Sequence, residues 1–408
     1  MSGKILMNSG LGWFIYALGS GWGHLNRALS LAQVAAQDRP VHVLTNSPYA
    51  QQVLPAVESA SLKLHQLPAK VSVHQAKAFV ESLLHRTAYD CLIVDTFPRG
   101  LVGELSQLIP KQSNICHVLV HRDLNPAYIR AKAIAQYTRQ HYDGILIPGE
   151  CAAPLAHLPQ AKVTAPWLSR SAADLLNFQQ LQSQWNISES LPLVVVCGSG
   201  QPEELAFWGQ VTEQMATALP AIAVRCLAAS CPPTCSPDRW IAHWPGMDVL
   251  QLADVVVGGG GYNLIHECEA LGKPLVAFAW PRRYDRQAQR IERYGAYLVR
   301  TIEGEEGAIA TVNLLLGSAG HLEQPGQSVS AHPAPDKLSD KVKANCASGY
   351  AHVDTSGHAH VDTSGHAHGY ANGVRDAISH IQTWRTNHEL NNDSNAYGCS
   401  HSSYFANV

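Results

Sequence analysis

The sequence predicts an α/β protein of two domains, each with a parallel sheet between layers of helices. Short apolar runs rich in β-branched residues alternate with longer segments that are apolar at helical spacing, a pattern typical of parallel sheets. This pattern runs through twice, with a polar, glutamine-rich joint near residues 166–190. The length agrees, because 408 residues at about 150 residues per domain correspond to two or three domains.

Ten predicted strands make up the two sheets. They are residues 13–18, 41–45, 90–95, 115–120 and 143–147 in the first half, and 192–197, 221–227, 253–257, 274–279 and 296–300 in the second. Helical spacing follows the strands, as in Leu25, Leu29 and Ala32. We therefore expect domains at 1–170 and 191–316, with a linker at 171–190.

The charge balance and hydropathy exclude several classes of protein. Lys and Arg number 29 against 32 Asp and Glu, so the net charge is −3, whereas a protein that neutralises nucleic-acid phosphates is basic. The apolar fraction of 46% is too high for a disordered chain, and no apolar run reaches the roughly 20 residues of a spanning helix. The ten cysteines are scattered, and no convincing secretory signal precedes the first strand. We expect reduced cysteines and a cytoplasmic protein that binds no nucleic acid.

The composition changes near residue 317. Residues 317–371 are rich in Gly, Ser, His and Pro, and the octet that begins at His352 repeats at His360. Its histidines suit a transition metal by type, but nothing fixes a ligand geometry, so we interpret this segment as a solvated insertion without metal. Residues 372–388 regain helical spacing and are predicted to form a final helix, and residues 389–408 to form a disordered tail.

A glycine-rich loop follows the first predicted strand. Gly19, Gly21 and Gly23 lead into His24, and a helix is expected to begin there. Glycines allow positive φ and close approach to a ligand, although the spacing is not the dinucleotide G-x-G-x-x-G pattern. A histidine at the carboxyl end of a parallel strand lies where ligands bind, and its ordinary pKa near 6.5 suits a general base. Arg27, one helical turn on, faces either ligand or solvent. An empty tight turn is the alternative.

A second glycine-rich loop is the strongest signal. Gly258 to Gly261 follow a buried strand, and Asn263 is expected to cap the next helix. Four glycines lose much chain entropy on folding, which suggests backbone amides that crowd an anion such as a diphosphate at a helix N-terminus. Glu267, about one turn on, suits sugar hydroxyls, with an ordinary surface glutamate as the alternative.

A polar loop from Pro281 to Gln287 follows the next strand. Asp285 and Gln287 are candidates to bind hydroxyls, and one of the three arginines (Arg282, Arg283 and Arg286) to balance phosphate charge. For the arginines, a solvated loop is an equally good explanation.

The segment from Trp244 to Gln289 resembles the C-terminal donor-binding domain of glycosyltransferase family 28, and Gly19 to Arg27 resembles the N-terminal glycine loop of the same GT-B superfamily. The family includes the N-acetylglucosaminyltransferase of peptidoglycan precursors and the galactolipid synthases. The resemblance covers residues 10–315 and the final helix. It implies two Rossmann-like domains facing across a cleft, with the acceptor on residues 1–170 and the nucleotide sugar on residues 191–316.

The resemblance also implies site roles. His24 is the general base of an inverting transfer that needs no metal or other cofactor, from a nucleoside-diphosphate sugar (UDP by resemblance) to an acceptor hydroxyl. The nucleotide-sugar site consists of Gly21, Gly23, Gly198, Ser199, Gly200, Met247, Gly259, Gly260, Gly261, Asn263, Glu267, Asp285 and Gln287. Within it, the glycines of the second loop contact the diphosphate, Glu267 the ribose, and Asp285 and Gln287 the sugar. Leu264 departs from the family, whose members often carry Thr there.

Two other classes of function stay open. A sugar-nucleotide epimerase of the same architecture needs carboxylates that move protons, for which Asp95 and Glu104 are the N-terminal candidates. The other is a nucleotide-sugar binding protein without catalysis. The acceptor leaves no pattern in the N-terminal loops, and peripheral membrane association would need an apolar face with a basic rim.

Overall fold

The computed structural model describes residues 11–19, 21–188, 190–299, 303–319 and 370–398. These residues form two compact units. The first contains residues 11–19, 24–167 and 373–398, and the second contains residues 21–23 and the described part of 168–372. Within the described ranges, no helix is long and apolar enough to span a membrane.

The first unit is built on a parallel sheet with the strand order β3-β2-β1-β4-β5-β6-β7. Its strands are β1 Gly12–Ala17, β2 Val41–Thr45, β3 Leu62–Gln66, β4 Tyr89–Asp95, β5 Cys116–Val120, β6 Gly144–Pro148 and β7 Ala161–Thr164. The central strands are buried along their whole length, because helices cover both faces of such a sheet. The strand order reverses between β1 and β4, which pair directly. A crevice at the carboxyl ends of such strands is where open α/β sheets bind ligands.

The helices of the first unit are α1 Trp22–Ala35, α2 Ala50–Val57, α3 Val73–Arg86, α4 Pro126–Ala131 and α5 Ile134–His141, with α12 Val374–Gly398 from the end of the chain. A Cβ added at Gly144 would lie 2.2 Å from the Trp384 ring, so this glycine of β6 lets α12 pack closely. The helix continues ten residues beyond the predicted end, into the segment expected to be disordered. His388 bonds the Ser113 carbonyl and Asp143, each at 3.0 Å, and Asn392, within the extension, donates to the same carbonyl at 3.2 Å.

The second unit repeats the arrangement with the strand order β10-β9-β8-β11-β12-β13. Its strands are β8 Leu193–Gly198, β9 Ala223–Ala228, β10 Trp240–Ile241, β11 Val255–Gly259, β12 Leu275–Phe278 and β13 Tyr297–Val299. Its helices are α6 Phe178–Gln184, α7 Pro202–Ala218, α8 Met247–Leu250, α9 Tyr262–Ala270, α10 Gln287–Arg293 and α11 Gly304–Ala319. Side chains of β8 alternate between two cores. Val194 and Val196 pack with Trp208, whereas Val195 and Cys197 join the core on the other face.

The ten strands expected from the sequence coincide with observed strands to within one or two residues, and three short edge strands (β3, β7 and β10) were missed. The segment 171–190, expected to be a linker, contains α6. Cys151 is disulfide-bonded, so the expectation of reduced cysteines throughout is wrong there, while Cys91 and Cys197 are among the free thiols. The histidine repeat from 352 to 367 lies outside the described residues.

Candidate functional site

The first candidate site lies where the strand order of the first sheet reverses. The loop after β1 leads into α1, and Asp95 is the last residue of β4. The structure starts α1 at Trp22, so Gly23 and His24 belong to its first turn rather than to the loop. Gly21 has a φ of 92°, a conformation that favours glycine. The topology thus brings together His24 and Asp95, which are 71 residues apart.

The His24 ring is held on two sides. Its Nδ1 lies 2.5 Å from Oδ2 of Asp95, and the ring stacks on Phe97 with centroids 5.9 Å apart. A Cβ added at Gly19 would lie 2.2 Å from the ring, so only glycine leaves room for it. Nε2 has no hydrogen-bond partner in the described part of the chain. The bonded nitrogen therefore faces Asp95 and the other is available to a substrate.

Arg27 is the residue that fixes Asp95. Its Nε donates to Oδ1 at 2.8 Å and its Nη2 to Oδ2 at 2.7 Å, and the side chain is 1% exposed. The two bonds form the bidentate geometry in which a guanidinium orients a carboxylate. Of the two orientations left open by the sequence, ligand or solvent, the structure shows neither, because Arg27 points into the unit.

Burial and charge keep this group in a defined protonation state. Burial alone would raise the pKa of Asp95, but Arg27 and His24 hold it far below its usual range, so the carboxylate is ionised. Burial lowers the pKa of His24 below 6.5, against the opposing effect of Asp95. The neutral imidazole donates Nδ1–H to the carboxylate and carries its lone pair on Nε2. That is the state a general base requires.

The two carboxylates considered for an epimerase are both engaged. Asp95 carries the two ionic contacts above. Glu104 is 3% exposed and accepts hydrogen bonds from the Tyr16 hydroxyl and from the Val102 amide at 2.8 Å. Neither carboxylate is placed to exchange a proton with a substrate while these bonds persist.

The second candidate site lies where the order of the second sheet reverses, between β8 and β11. Gly198, Ser199 and Gly200 follow β8, and α7 begins with Glu203 and Glu204 in its first turn. Arg282, one of the three loop arginines, binds both oxygens of Glu204 at 2.6 Å. The N-terminus of α7 and Arg282 therefore already have a carboxylate partner.

Packing explains two of the four consecutive glycines. A Cβ at Gly258 would lie 2.4 Å from Leu264, and one at Gly260 would lie 2.5 Å from Ile291. The amide of Gly260 donates to the Phe278 carbonyl at 2.9 Å, so it is not available to a phosphate. A Cβ at Gly261 would meet nothing within 4 Å. A ligand can therefore approach the backbone at Gly261. A Cβ added at Gly259 would make an ordinary van der Waals contact.

The helix α9 begins one residue after this open position. Gly261 is its N-cap, so the expectation that Asn263 caps the helix is wrong, and Asn263 instead supplies a backbone amide in the first turn. The first amides of a helix lack intrahelical acceptors. The first turn of α9 carries no acidic residue, unlike that of α7. Of the two helix N-termini at this switch point, α9 is the one suited to an anion.

Glu267 is buried rather than on the surface of α9. It is 6% exposed, and its Oε1 accepts a hydrogen bond from the Ser169 hydroxyl at 2.8 Å. Burial raises the pKa of Glu267 to about 7, although the Ser169 bond opposes the shift. The carboxyl therefore titrates near neutrality, with a hydroxyl as its present partner.

Met247 begins the short helix α8 and is fully buried, so its backbone rather than its side chain is what a ligand would meet. The next residue, Asp248, is also buried and binds Arg170 and His243 at 3.1 Å. Burial would raise the pKa of Asp248, but these partners and the Leu176 amide lower it. The group stabilises the loop that carries Met247.

Asp285 and Gln287 lie in the loop after β12 and at the start of α10. Gln287 accepts from the Trp280 amide at 3.0 Å. Asp285 binds Arg290 at 2.7 Å, and the same arginine donates to the Gly260 carbonyl at 3.2 Å. Arg290 is fully buried, so it joins the polar loop to the glycine turn. Among the described residues, no cluster of three or more His, Cys, Asp or Glu forms a metal-binding group.

Comparison with known proteins identifies the fold. No protein-family model and no curated protein sequence matches the chain. Solved structures do. The spinosyn rhamnosyltransferase SpnG with thymidine diphosphate matches at a TM-score of 0.53 and 16% identity, over 76% of this chain and 92% of that one. The kitacinnamycin glycotransferase matches at a TM-score of 0.50 and 15% identity, over 76% of this chain and 92% of that one. S. aureus MnaA with UDP matches at a TM-score of 0.50 and 11% identity, over 75% of this chain and 88% of that one.

The chain has the GT-B fold. At these identities the likeness is one of fold, and it covers most of each neighbour's length. The two doubly wound sheets are the two Rossmann-like halves of a GT-B protein, as the sequence predicted. The sites described above occupy the switch point of each half.

Sequence reasoning did not single out two residues of these sites, Arg290 and Asp248, and it did not pair Arg27 with Asp95. A charged residue in a helix has no signal that tells burial from exposure. A signal did exist for Asp95, which ends an apolar strand next to the predicted first strand.

Proposed function

We propose that this protein is a glycosyltransferase that moves a sugar from a nucleoside-diphosphate sugar, with UDP as the expected nucleotide, to an acceptor hydroxyl. The transfer inverts the anomeric configuration and uses no metal. Support comes from the GT-B fold and from the neighbours solved with thymidine diphosphate and with UDP. An anion such as a diphosphate suits the N-terminus of α9, where backbone N–H groups lack intrahelical acceptors.

The observation that carries the proposal is the His24–Asp95 contact. A buried carboxylate that Arg27 keeps ionised accepts from Nδ1 of His24 at 2.5 Å and leaves Nε2 as the basic atom. Nε2 takes the proton of the acceptor hydroxyl as the oxygen attacks the anomeric carbon. Asp95 stabilises the imidazolium that forms, and the bond between the sugar and the diphosphate oxygen breaks on the opposite face.

The second unit supplies the leaving-group side of the reaction. The amides of Gly261 and the first turn of α9 face the diphosphate, where preorganised dipoles stabilise developing negative charge. Glu267 exchanges its Ser169 partner for ribose hydroxyls. Residues Gly198 to Gly200 line the donor site beside α9. Next to them, the carboxylate of Glu204 repels further anions.

The first experiment separates the three classes of function. Nucleotide sugars are incubated with the protein alone and with a panel of acceptors, and products are followed by mass spectrometry. Transfer to an acceptor supports the proposal, interconversion of the sugar without acceptor indicates an epimerase, and binding without product indicates a binding protein. His24→Ala should lower turnover by about 10² to 10⁴ and leave donor affinity unchanged. Equal turnover in that variant would contradict the role of His24.

The second experiment tests the donor site with two variants of one position. Gly261→Asp and Gly261→Asn both fit the open space and both cap α9, so neither lowers stability. They differ only in charge. A carboxylate about 4 Å from a phosphate costs about 4 kcal/mol at an effective dielectric constant of about 20, or roughly 10³-fold in affinity. Calorimetry with UDP should show this loss for Gly261→Asp only. Equal affinity of the two variants would place the diphosphate elsewhere.

A further inference from the structure

A basic cavity lies at the edge of the first sheet opposite to His24. It has a volume of 490 Å³ and is lined where β1, β2 and β4 begin, with residues of β3 and the end of α3. Four of its lining residues are basic: His42, Lys63, His65 and Arg86. Among the residues that the structure describes, no carboxylate lines it, although the chain as a whole carries a net charge of −3. Lys63 and Arg86 carry the positive charge of this cavity at neutral pH, and the His24 site uses neither of them.

Two of these residues form a pair that shares a proton. Nδ1 of His42 and Nε2 of His65 lie 2.9 Å apart, and the rings are parallel to within 6°. When both rings are neutral, one inner nitrogen donates to the other, which leaves a single N–H among the two outer nitrogens. A further proton on the pair makes both outer nitrogens donors. The pair thus offers a second hydrogen bond to an anion when it takes up a proton.

The surroundings of the pair favour an anion. Burial, together with His42, Arg86 and Lys63, lowers the pKa of His65 to about 4. Burial and Lys63 also lower the pKa of His42. Within the described ranges, no carboxylate acts on either ring to raise its pKa. An anion bound in the cavity would neutralise Lys63 and Arg86. It would also raise the pKa of both histidines, because it favours their charged forms.

We propose that this cavity binds a phosphate monoester. Lys63 and Arg86 contact the phosphate oxygens, and the histidine pair donates the remaining hydrogen bonds. The apolar part of the ligand lies against Leu83 and Pro40, which line the same cavity. Because all these residues belong to the first unit and face away from His24, the site is independent of the proposed glycosyl transfer.

Calorimetry with phenyl phosphate and with inorganic phosphate tests the proposal. Lys63→Ala/Arg86→Ala should weaken phenyl phosphate binding about ten-fold or more for each cation removed. The matched control, Lys77→Ala/Lys111→Ala, removes the same charge from the same unit outside the cavity and should bind as the unchanged protein does. Since Lys63 and Arg86 are exposed, the double variant should fold. Arg86→Glu is the second variant, and it should abolish binding.

The histidine pair has its own test. Sulfate keeps its charge between pH 6 and pH 8, so any pH dependence of its affinity reports protons on the protein. We expect tighter sulfate binding at pH 6, with proton uptake measured in two buffers of different ionisation heat, and a loss of both effects in His65→Gln. Binding without proton uptake would remove the pair from the site.

Vesicles distinguish the source of the phosphate. Phosphatidylcholine vesicles with phosphatidic acid present the same phosphate monoester on a surface, and vesicles without it are the control. Binding of phenyl phosphate in solution assigns a small-molecule ligand, and vesicle binding that needs phosphatidic acid and both cations assigns a lipid headgroup. If neither probe binds, or if the double variant binds as its control does, the proposal is wrong.

Discussion

Asp95→Asn is the substitution that most directly tests the site of the first unit. Asp95 lies at the end of β4, is 2% exposed, and accepts two hydrogen bonds from Arg27 and one from His24. An asparagine has the same size but no charge. In either orientation of the amide, its NH₂ group faces an N–H of Arg27 or of both partners. The variant thus takes away the carboxylate that a buried guanidinium is paired with.

Two effects of known size follow. Removing one partner of a buried ion pair costs about 3–5 kcal/mol, and the free energy of unfolding from urea denaturation should fall by that amount. Turnover in a transfer assay should fall by about 10² to 10⁴, because no carboxylate stabilises the protonated His24. The pKa of His24 should fall further, since Asp95 is the group that raises it. Histidine NMR signals measure that shift without any substrate.

Two further variants separate stability from catalysis. Arg27→Met/Asp95→Asn removes the unpaired charge, so it should recover part of the stability while turnover stays low. Asp90→Asn breaks a pair with Arg385 at 2.8 Å in which both side chains are partly exposed, and should cost only about 1 kcal/mol. If Asp95→Asn unfolds at the same urea concentration as the unchanged protein, Arg27 and Asp95 are not the buried pair described here. If only turnover is unaffected, the structure stands and the proposed mechanism does not.

Three other predictions follow from single positions. Gly19→Ala should displace the His24 ring and lower the free energy of unfolding by about 1–3 kcal/mol. Gly23→Ala, which places its methyl group in open space within α1, should be neutral or stabilising in thermal unfolding. Equal effects of the two variants would contradict the contact between Gly19 and the His24 ring. The pKa of His117 is lowered by burial to about 4, so the unfolded state binds more protons below pH 6.5, and stability should fall by about 3 kcal/mol toward pH 4. In urea titrations, His117→Asn should reduce that slope, to which His65 and His121 also contribute, and an unchanged slope would exclude His117 as one of its sources. Because the pKa of Glu267 is raised to about 7, its contribution to stability is complete below pH 4.5 and is lost as pH rises through 7. The affinity for UDP should rise over the same pH range, and Glu267→Gln should remove this pH dependence in calorimetry. If the pH dependence persists in that variant, another group is the one that titrates.

The fold was largely predictable because parallel sheets leave a strong pattern. A strand buried on both faces is a continuous apolar run, and ten such runs were recognised. The strands that were missed lie at sheet edges, where Lys63 and His65 of β3 alternate with apolar residues and one face meets solvent. The extension of α12 was also missed, because it carries polar residues such as Asn392, which donates to the Ser113 carbonyl at 3.2 Å, rather than residues at apolar spacing.

The sequence located the two glycine loops, while the binding and catalytic roles of their residues stay predictions. The sequence marked both glycine loops but assigned their close approach to a ligand, whereas Gly19 makes room for the His24 ring and Gly261 is the N-cap of α9. The pairing of Arg27 with Asp95 and the burial of Glu267 against Ser169 join residues that are 68 and 98 positions apart. Such pairs depend on the order of strands in a sheet, which periodicity does not encode. The cap of α9 was wrong for a simpler reason: Gly261 already has the extended conformation of an N-cap, so the helix starts two residues earlier than a cap at Asn263 requires.

The two switch points use the same topology for different chemistry. In the first unit, the end of β4 carries a carboxylate, and the loop after β1 is shaped to hold one neutral histidine against it. In the second unit, the end of β11 carries glycine, and the acidic first turn belongs to the helix after β8, where Arg282 neutralises it. In the proposed function, the first site stabilises a positive charge as it forms on His24, and the helix amides of the second meet a negative charge. Nucleophilic displacement of a diphosphate generates this pair of charges, so the proposed glycosyl transfer gives each site a role, whereas binding alone would leave the base of the first site without one.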